Sequence, residues 1–542
     1  MALKPKKSEK KSKSKEVAVK KNKDLTKAPK KSKEVVTAKE WAMVSKFPVA
    51  TGETIDQTLS FFTEGALKTY GSYVVEQRAV PDYRDGLKPV HRAVLWSMAG
   101  LGLRPDKGYK KSARTIGDTI GMYHPHGDQA AYDAMVTITN ALPPFVDGQG
   151  GYGSPSTPAS AQRYTEAKMS RFTNTFLLDP DYLKVVPYDM NFSNDQKIPL
   201  YLPALLPSLL FITNIPAPAY GVKAGNPAFS LKSVAKVVID MLKGKTYTGK
   251  KLSDTLEIKH PYGCIDVSKD SDIETLMTTG KGNVTYAPLT HTDIPKRTIY
   301  LQSHVPMTLA SVESIDKTLN KILNIDGVKN AENTPGKQVK HAGPFGALCT
   351  VDCPKNMDED RFDEICHKVD NIVRSSVNYR LGITIRRLGT IQNEFRYLNY
   401  VDFFTGWVQY RIQLEERMIA YKLDQNEKLL HLNEVYLFGI LNLKELLKIL
   451  PSILMAKDPD AKLAKHFKIP LEDAKIILDR KIRQLSKMDA DALKEKIKAF
   501  KDEIKILKAD AKNPGERAAR DTEARMKTYM KNPDKAHSGL EI

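Results

Sequence analysis

The spacing of apolar residues changes period along this chain, and each change predicts a different element. Val90, Val94 and Met98 recur every fourth position, one face of a helix, with Lys88 and Arg92 one turn apart opposite and His91 between the two faces. The next stretch, "SARTIGDTIGMYHPHGDQAAYDAMVTITNAL", predicts helix, tight turn, helix. Gly121 and H-P-H-G end the first helix, Asp128 caps the second, and Ala131, Met135, Ile138 and Leu142 form its apolar face. From about 220 to 395, short strands ("RTIYLQS", "FGALCTVDC", "GITIRRL") mix with helices ("SVAKVVIDMLKG", "DRFDEICHKVDNIV"), which reads as an α+β module. Ile412, Ile419, Leu423 and Leu430 then mark a long amphipathic helix, and Leu493, Ile497, Phe500, Ile504 and Leu507 form a seam of alternating four- and three-residue steps. A smaller helical region, Leu437 to Arg480, lies between them. This order predicts a long antiparallel coiled coil with a helical dimerisation knob; a bundle packed within one chain is the other reading. From Asn513 the sequence is polar, with helical stretches and no core of its own.

Composition adds partners to this outline. The net charge of +20 favours a polyanion, because Lys and Arg release the counterions of phosphates. The first forty residues hold 15 Lys against 5 acids, which fits a solvated tail or a non-specific DNA tether. No apolar run approaches the ~18 residues of a membrane span, so a soluble cytoplasmic protein is expected, in host cytoplasm if viral. Four cysteines, Cys264, Cys349, Cys353 and Cys366, point to a reducing compartment and buried thiols rather than a disulfide framework or zinc site.

The candidate chemistry gathers between residues 78 and 164. Arg78, Arg84, Lys88, His91 and Arg92 fall within fifteen residues, more than a solvated helix face explains. His124 and His126 flank Pro125 in an extended turn, so both rings face one side, suited to phosphate or proton handling. The glycine-rich "GQGGYGSPSTPASAQRYTEAKMSRF" delivers Tyr164 directly behind Arg163, outside any periodic apolar pattern. No phosphate-binding G-x4-G-K-[ST] loop is present. The D-x-D triplets at Asp179/Asp181, Asp358/Asp360, Asp458/Asp460 and Asp489/Asp491 lack a companion E-G-D element and read as turn or linker acids.

Four motifs occur in a family's order: "PDYRDGLKPVHR" (81–92), "SARTIGDTIGMYHPHGD" (112–128), "DGQGGYGS" (147–154) and "RYTE" (163–166). With them the chain strongly resembles the breakage-reunion subunit of type IIA DNA topoisomerases, the family of the gyrase A protein; the likeness continues through "LPALLPSLL" to the coiled coil near residue 507. The resemblance implies an α+β multidomain fold with a winged-helix DNA-binding domain and an α/β tower domain ahead of the coiled coil. The expected divisions are a basic tail (1–40), the winged-helix breakage-reunion domain (41–205), the tower (206–395), the coiled coil and its dimerisation region (396–510) and a polar C-terminal tail (511–542).

It also implies roles. Tyr164 is the nucleophile that holds a broken DNA end as a phosphotyrosine, so the strand is rejoined without a cofactor. A free phenol is only ~0.1% ionised at neutral pH. Arg163 therefore stabilises charge on the pentavalent phosphate, and a helix suggested by Met169, Phe172 and Phe176 points its positive end the same way. His124 and His126 take active-site positions; Arg78, Lys88, His91 and Arg92 take DNA-binding positions; the helix from Gln129 to Leu142 sits in the major groove. Leu206, or Leu205 one residue earlier, is the apolar wedge that kinks the duplex, with plain core packing as the other reading. Mg2+ and ATP belong to a separate ATPase and metal-binding subunit, which joins a homodimer of this chain on double-stranded DNA. An end soon after the coiled coil leads to an expectation of relaxation, decatenation and unknotting without supercoiling. The rival reading is a non-enzymatic DNA-bending protein.

Overall fold

The computed structural model describes residues 58–153, 158–260, 263–301, 312–337, 347–386, 393–479 and 490–535; the basic segment 1–40 lies outside them. The chain divides into two compact units, residues 1–66 and 67–542. Of the first, only the opening turns of helix α1 (Leu59–Val74) are described, with Leu59, Phe61 and Phe62 exposed. A single π-turn, Val75–Ala79, follows α1 and carries Arg78.

The first motif folds as a tight turn leading into α2 (Pro89–Gly100), which has proline at its first position, where a missing N–H costs nothing. Gly86 is obligatory: its φ is +68°, and a Cβ there would lie 2.1 Å from the Leu209 nitrogen. The Asp85 carboxylate is fully buried and accepts four bonds: from Leu87 N (3.0 Å), Arg92 Nη2 (3.0 Å), Arg92 Nε (2.7 Å) and Leu202 N (2.9 Å). Burial pushes the carboxyl pKa up and the Arg92 charge pulls it back. Four donors with no competing acceptor hold it ionised. The face of α2 is therefore wider than its apolar spacing predicts: His91 and Arg92 are buried along with Val94, Leu95 and Met98.

Helices α3 (Ser112–Met122) and α4 (Asp128–Thr139) pack on α2 and on each other. Three antiparallel strands cover them: β1 (Lys110–Lys111), β2 (Val146–Gln149) and β3 (Glu166–Met169), in the order β1–β3–β2, with Lys111 opposite Glu166 and Gly148 opposite Ala167. Gly127, not Asp128, occupies the cap position of α4, and α4 ends three residues before Leu142. The short α5 (Arg171–Phe176) follows β3.

The stretch expected to be one tower module divides between two cores. Strands β4 (Asn214–Ala219), β5 (Val222–Asn226), β6 (Ile265–Asp266), β7 (Lys281–Ala287) and, later, the strand Ser375–Arg380 form a five-stranded sheet. With α6 (Leu231–Leu242), α7 (Gly249–Thr255) and α8 (Asp270–Thr279), it shares the main core that contains α2 to α5. A second sheet, from β8 (Thr290–Asp293), β9 (Thr298–Leu301), β10 (Asn330–Lys337) and β11 (Ala347–Asp352), is ordered β8–β9–β11–β10. With α9 (Val312–Leu323) and α10 (Glu359–Val373) it closes a separate core around Ile299, Ile322, Val351 and Ile365. Cys349 and Cys353 are buried there, and burial pushes the Cys349 thiol up to about 12, inert at neutral pH. A hairpin of β12 (Gly382–Arg386) and β13 (Asn393–Tyr397) then returns to the first motif, where Tyr83 N donates to Thr384 O at 2.8 Å.

Helix α11 (Tyr400–Leu441) has 42 residues, which at 1.5 Å each is about 63 Å of rod. After α12 (Leu443–Leu454), α13 (Pro459–Phe467) and α14 (Leu471–Leu478), the chain returns as α15 (Ala490–Asp510). Glu434 pairs with Lys501 and Glu427 with Lys508, so seven steps back along α11 match seven forward along α15. The pair is antiparallel. Leu493, Ile497, Ile504 and Leu507 are buried in its seam and Phe500 half-buried. The three short helices at its tip close a third core around Leu446, Ile453 and Leu463.

The expected polar tail is instead a structural helix. In α16 (Pro514–Met530), Ala518, Ala519, Thr522, Met526 and Tyr529 are buried against α6 and α11. Fixed charges hold it: Arg411 Nη2 meets Asp521 at 3.1 Å, Arg517 meets Glu415 at 3.0 Å and Arg525 meets Asp179 at 2.8 Å. Asp534 then caps α5, accepting from Arg171 N (2.8 Å) and Phe172 N (2.7 Å). Small side chains and paired charges look solvent-facing in a sequence, but here they permit close helix approach and long-range ion pairs. No described helix is long and apolar enough to cross a membrane.

Arg92→Met strands the Asp85 charge inside the core, and about 3–5 kcal/mol of stability is expected to be lost. The urea midpoint reads this; an unmoved midpoint refutes a structural role for the pair.

Candidate active site

Tyr164 stands at the outer end of β3, where the chain turns from loop to sheet. Its neighbours fix the main chain firmly: Tyr164 N donates to Ala161 O (2.8 Å), Ser112 N to Thr165 O (3.0 Å) and Ala113 N to Gln162 O (3.2 Å). Gln162 Nε2 also donates to Asp128 Oδ2 at 2.7 Å, which ties this loop to the start of α4 just beyond His126. The side chain of Tyr164 points the other way and is 65% exposed. Arg163 attends it, with the guanidinium carbon 4.8 Å from the ring centre. The Arg163 hydrogen bond and charge lower the phenol pKa, which favours the nucleophilic phenolate.

The loop glycines serve packing first. A Cβ on Gly148 would lie 2.5 Å from the Tyr152 ring and 2.7 Å from Thr139, and Gly150 has φ +104°. The helical dipole expected behind Tyr164 is absent: strand β3 intervenes, and the N–H groups that open α5 are already taken by Asp534.

His124 and His126 face each other edge to face, with ring centres 4.6 Å apart. Burial, His126 and Arg78 together pull the His124 pKa down to about 4, so it is neutral at pH 7. The exposed Arg78 thus lies within electrostatic reach of His124. Lys88 is half-buried, and burial lowers its ammonium pKa.

The remaining expected DNA contacts lie inside the molecule. His91 is 4% exposed, and burial beside Lys88 and Arg92 pulls its pKa down to about 3. Arg92 is spent on Asp85, and Arg84 on Asp82 (2.7 Å) and on the Tyr201 ring (3.9 Å). The sequence signal for this lay in the motif itself, where Asp82 and Asp85 alternate with the basic residues. Leu206 is fully buried, as is Leu205, so neither forms the exposed Pro-flanked tip expected of a wedge. The turn that follows, Ser208–Phe211, runs inward and carries both leucines into the main core.

Among the described residues no three His, Cys, Asp or Glu side chains are arranged to hold a metal ion. In three of the D-x-D triplets an acid has a local partner: Asp181 pairs with Lys184, Asp458 caps α13 and Asp491 pairs with Lys494; Asp489 lies outside the described residues.

A small antiparallel sheet on three helices carries an exposed arginine–tyrosine pair, and the turn between two of those helices carries a histidine pair, groups suited to phosphodiester chemistry. The chain belongs to the DNA gyrase/topoisomerase IV A-subunit family, whose model matches residues 78–521. It is 28% identical over 483 residues to the DNA gyrase A protein of Borreliella burgdorferi, covering 86% of this chain and 57% of that protein. It is 30% identical over 454 residues to the corresponding A protein of DNA topoisomerase 4 from Haemophilus influenzae, covering 82% and 58% respectively. Against the same protein of Pseudomonas aeruginosa it is 30% identical over 444 residues, covering 80% and 56%. The chain thus spans somewhat more than half the length of these curated relatives.

A histidine with a depressed folded pKa binds its proton more readily in the unfolded state. Stability is therefore full above the unfolded value of ~6.5 and falls as pH drops below it. Between pH 7 and pH 5 His91 alone accounts for up to ~2 kcal/mol. His91→Phe is expected to flatten the fall in melting temperature across that range; an unchanged slope contradicts the buried neutral imidazole.

Proposed function

We propose that this chain is the DNA-cleaving and rejoining subunit of an ATP-dependent type II DNA topoisomerase, of the kind typified by the medium subunit of the T-even phage enzyme. The observation that carries the reading is the Arg163–Tyr164 pair: an exposed phenol with a lowered pKa on a main chain pinned from three sides. The three helices and small sheet around it are read as a winged-helix domain, and the α11–α15 pair as an antiparallel coiled coil. Exposed Leu441, Leu454 and Met455 near its tip, the last 89% exposed, suit a contact with a second copy of the chain.

In the proposed reaction Tyr164 Oη attacks a DNA phosphorus. A bond forms from Oη to phosphorus and the bond from phosphorus to the 3′ oxygen breaks. The phenol proton leaves to a base, the 3′ oxygen takes a proton, and the 5′ phosphate stays on tyrosine. Arg163 stabilises the charge on the equatorial oxygens. Neutral His124, with His126 against it, supplies a hydrogen bond to the reacting phosphate or relays the proton. The reverse attack by the 3′ hydroxyl rejoins the strand, and the ester stores the bond energy meanwhile. In a homodimer one Tyr164 cuts each strand, a second duplex passes through, and relaxation, decatenation or unknotting results.

Among the described residues no carboxylate cluster suits Mg2+, so the metal and ATP are assigned to the partner subunit. Arg78, Lys88 and Arg163 are the proposed phosphate contacts. A DNA role for His91, Arg92 or Leu206 requires binding to draw them from the core.

The test mixes the chain with its ATPase and metal-binding partner, supercoiled plasmid and Mg2+, then stops the reaction with detergent. A covalent protein–DNA adduct is expected from wild type and none from Tyr164→Phe. Arg163→Gln is expected to cleave ~10²–10³-fold more slowly. Tight binding and bending without an adduct from wild type would instead favour the non-enzymatic DNA-bending protein.

A further inference from the structure

Four hydroxyl groups that the proposed chemistry does not use lie in one line beneath Tyr164. They are Tyr132, Thr165, Ser112 and Tyr152, and each is at most 1% exposed. Tyr132 Oη contacts Thr165 Oγ1 at 2.9 Å, Thr165 Oγ1 contacts Ser112 Oγ at 2.8 Å, and Ser112 Oγ contacts Tyr152 Oη at 2.8 Å. Both ends of the line stop on main-chain carbonyls. Tyr132 donates to Ser160 O at 2.7 Å, and Tyr152 to Glu166 O at 2.9 Å.

The placement of those carbonyls matters. Ser160 precedes Tyr164 by four residues and Glu166 follows it by two, so the line grips the chain on both sides of the tyrosine. Thr165, the immediate neighbour, turns its side chain into the line while Tyr164 turns outward. The line's other members come from α3, α4 and the glycine-rich loop, so it joins three separate segments at one residue. Ser112 also donates its N–H to Thr165 O, which doubles the hold at that point.

Proton counting separates positioning from stability. The Tyr152 hydroxyl also bonds Thr165, so four hydroxyl protons serve six contacts, and the two end carbonyls only accept. Two inner contacts therefore always lack a proton. Removing the Thr165 hydroxyl removes one proton and three contacts, leaving three protons for three contacts. The remaining groups are then all satisfied, so the loss to folding is small, while the side-chain half of the tether between Thr165 and helix α3 is cut and the Ser112 N to Thr165 O bond alone remains at that residue.

We infer that this hydroxyl line is the positioning device for the nucleophile, with Thr165 as its central positioning residue: it indexes the main chain so that Tyr164 Oη meets the scissile phosphate in line. The inference rests on the role of Tyr164 proposed above. Misplacement of a reacting group by ~1 Å costs up to ~10²-fold in rate, so loss of indexing shows in the chemical step rather than in DNA affinity.

The experiment uses the full chain with its ATPase and metal-binding partner and a linear duplex, and follows wild type, Tyr164→Phe, Thr165→Val, Thr165→Ser and Tyr152→Phe. Single-turnover cleavage and rejoining rates, DNA dissociation constants and melting temperatures are measured for each. Thr165→Val and Tyr152→Phe are expected to slow cleavage and rejoining by about tenfold or more. Their DNA affinity should stay at the wild-type value and their melting temperature within about 2 °C of it. Thr165→Ser keeps the hydroxyl and should restore most of the rate. Wild-type rates in Thr165→Val, or equal slowing in Thr165→Ser and Thr165→Val, overturn the positioning role and leave the function intact. No adduct from wild type overturns the proposed function and the positioning role with it. If Thr165→Val does not fold, Tyr152→Phe decides by the same criteria.

Discussion

Everything around the site hangs on one buried carboxylate. Asp85 draws four donors from three stretches of chain: its own turn, helix α2 and the 200–206 segment. An isolated carboxylate in that position would cost several kcal/mol, and Arg92 offsets this only because its guanidinium is held in a two-pronged geometry. The same turn also supports the arm. Trp407 Nε1 donates to Arg84 O at 3.0 Å, and Tyr83 Oη donates to Phe403 O at 3.1 Å, so the base of α11 rests on the backbone that Asp85 organises. A motif that looks like a basic DNA-binding strip is physically the keystone between the helical domain and the long arm.

The site answers a different demand, a side chain free to move on a backbone that is not. Tyr164 is exposed and attended by Arg163, whereas Thr165 beside it is wholly buried. The turn that precedes β3 produces this: closed by the Tyr164 N to Ala161 O bond, it leaves Tyr164 in solvent just before Thr165 enters the interior. The outward residue presents its phenol to solvent, and the inward one hydrogen-bonds Ser112 and Tyr132. Glycines in the preceding loop contribute by letting Tyr152 pack against the sheet, so the loop's permissive residues build a rigid support.

Periodicity along the sequence made the helices and the α15 seam legible, because burial of a long apolar stripe depends on local spacing alone. The Arg163–Tyr164 pair and the paired histidines were legible for a related reason: their neighbours in sequence are their neighbours in space. His91, Arg92 and Leu206 were not. Whether a basic side chain faces water or a carboxylate depends on partners such as Leu202 N and Asp85, which no helical period reports. Helix α16 escaped for the same cause. Its alanines pack on α6 and α11, and its Arg517, Asp521 and Arg525 pair with charges from about a hundred to nearly three hundred and fifty residues away, on α11 and near α5.

Helix α11 is two objects in one rod. From Tyr400 to Ile419 it is foundation, with Phe403, Phe404, Trp407, Arg411, Leu414 and Glu415 buried in the main core. From residue 420 to 434 no described side chain is fully buried; α15 runs alongside, with ion pairs such as Lys501–Glu434 and His431–Asp473 on the flanks. Exposed pairs contribute little each and re-form readily after breaking. Bending of the arm therefore costs far less in its middle than at its base, where Arg411 and Glu415 are fixed without water. The base of the arm is in turn tied to the domain that carries Tyr164 through the ion pairs of α16 and the Asp534 cap on α5.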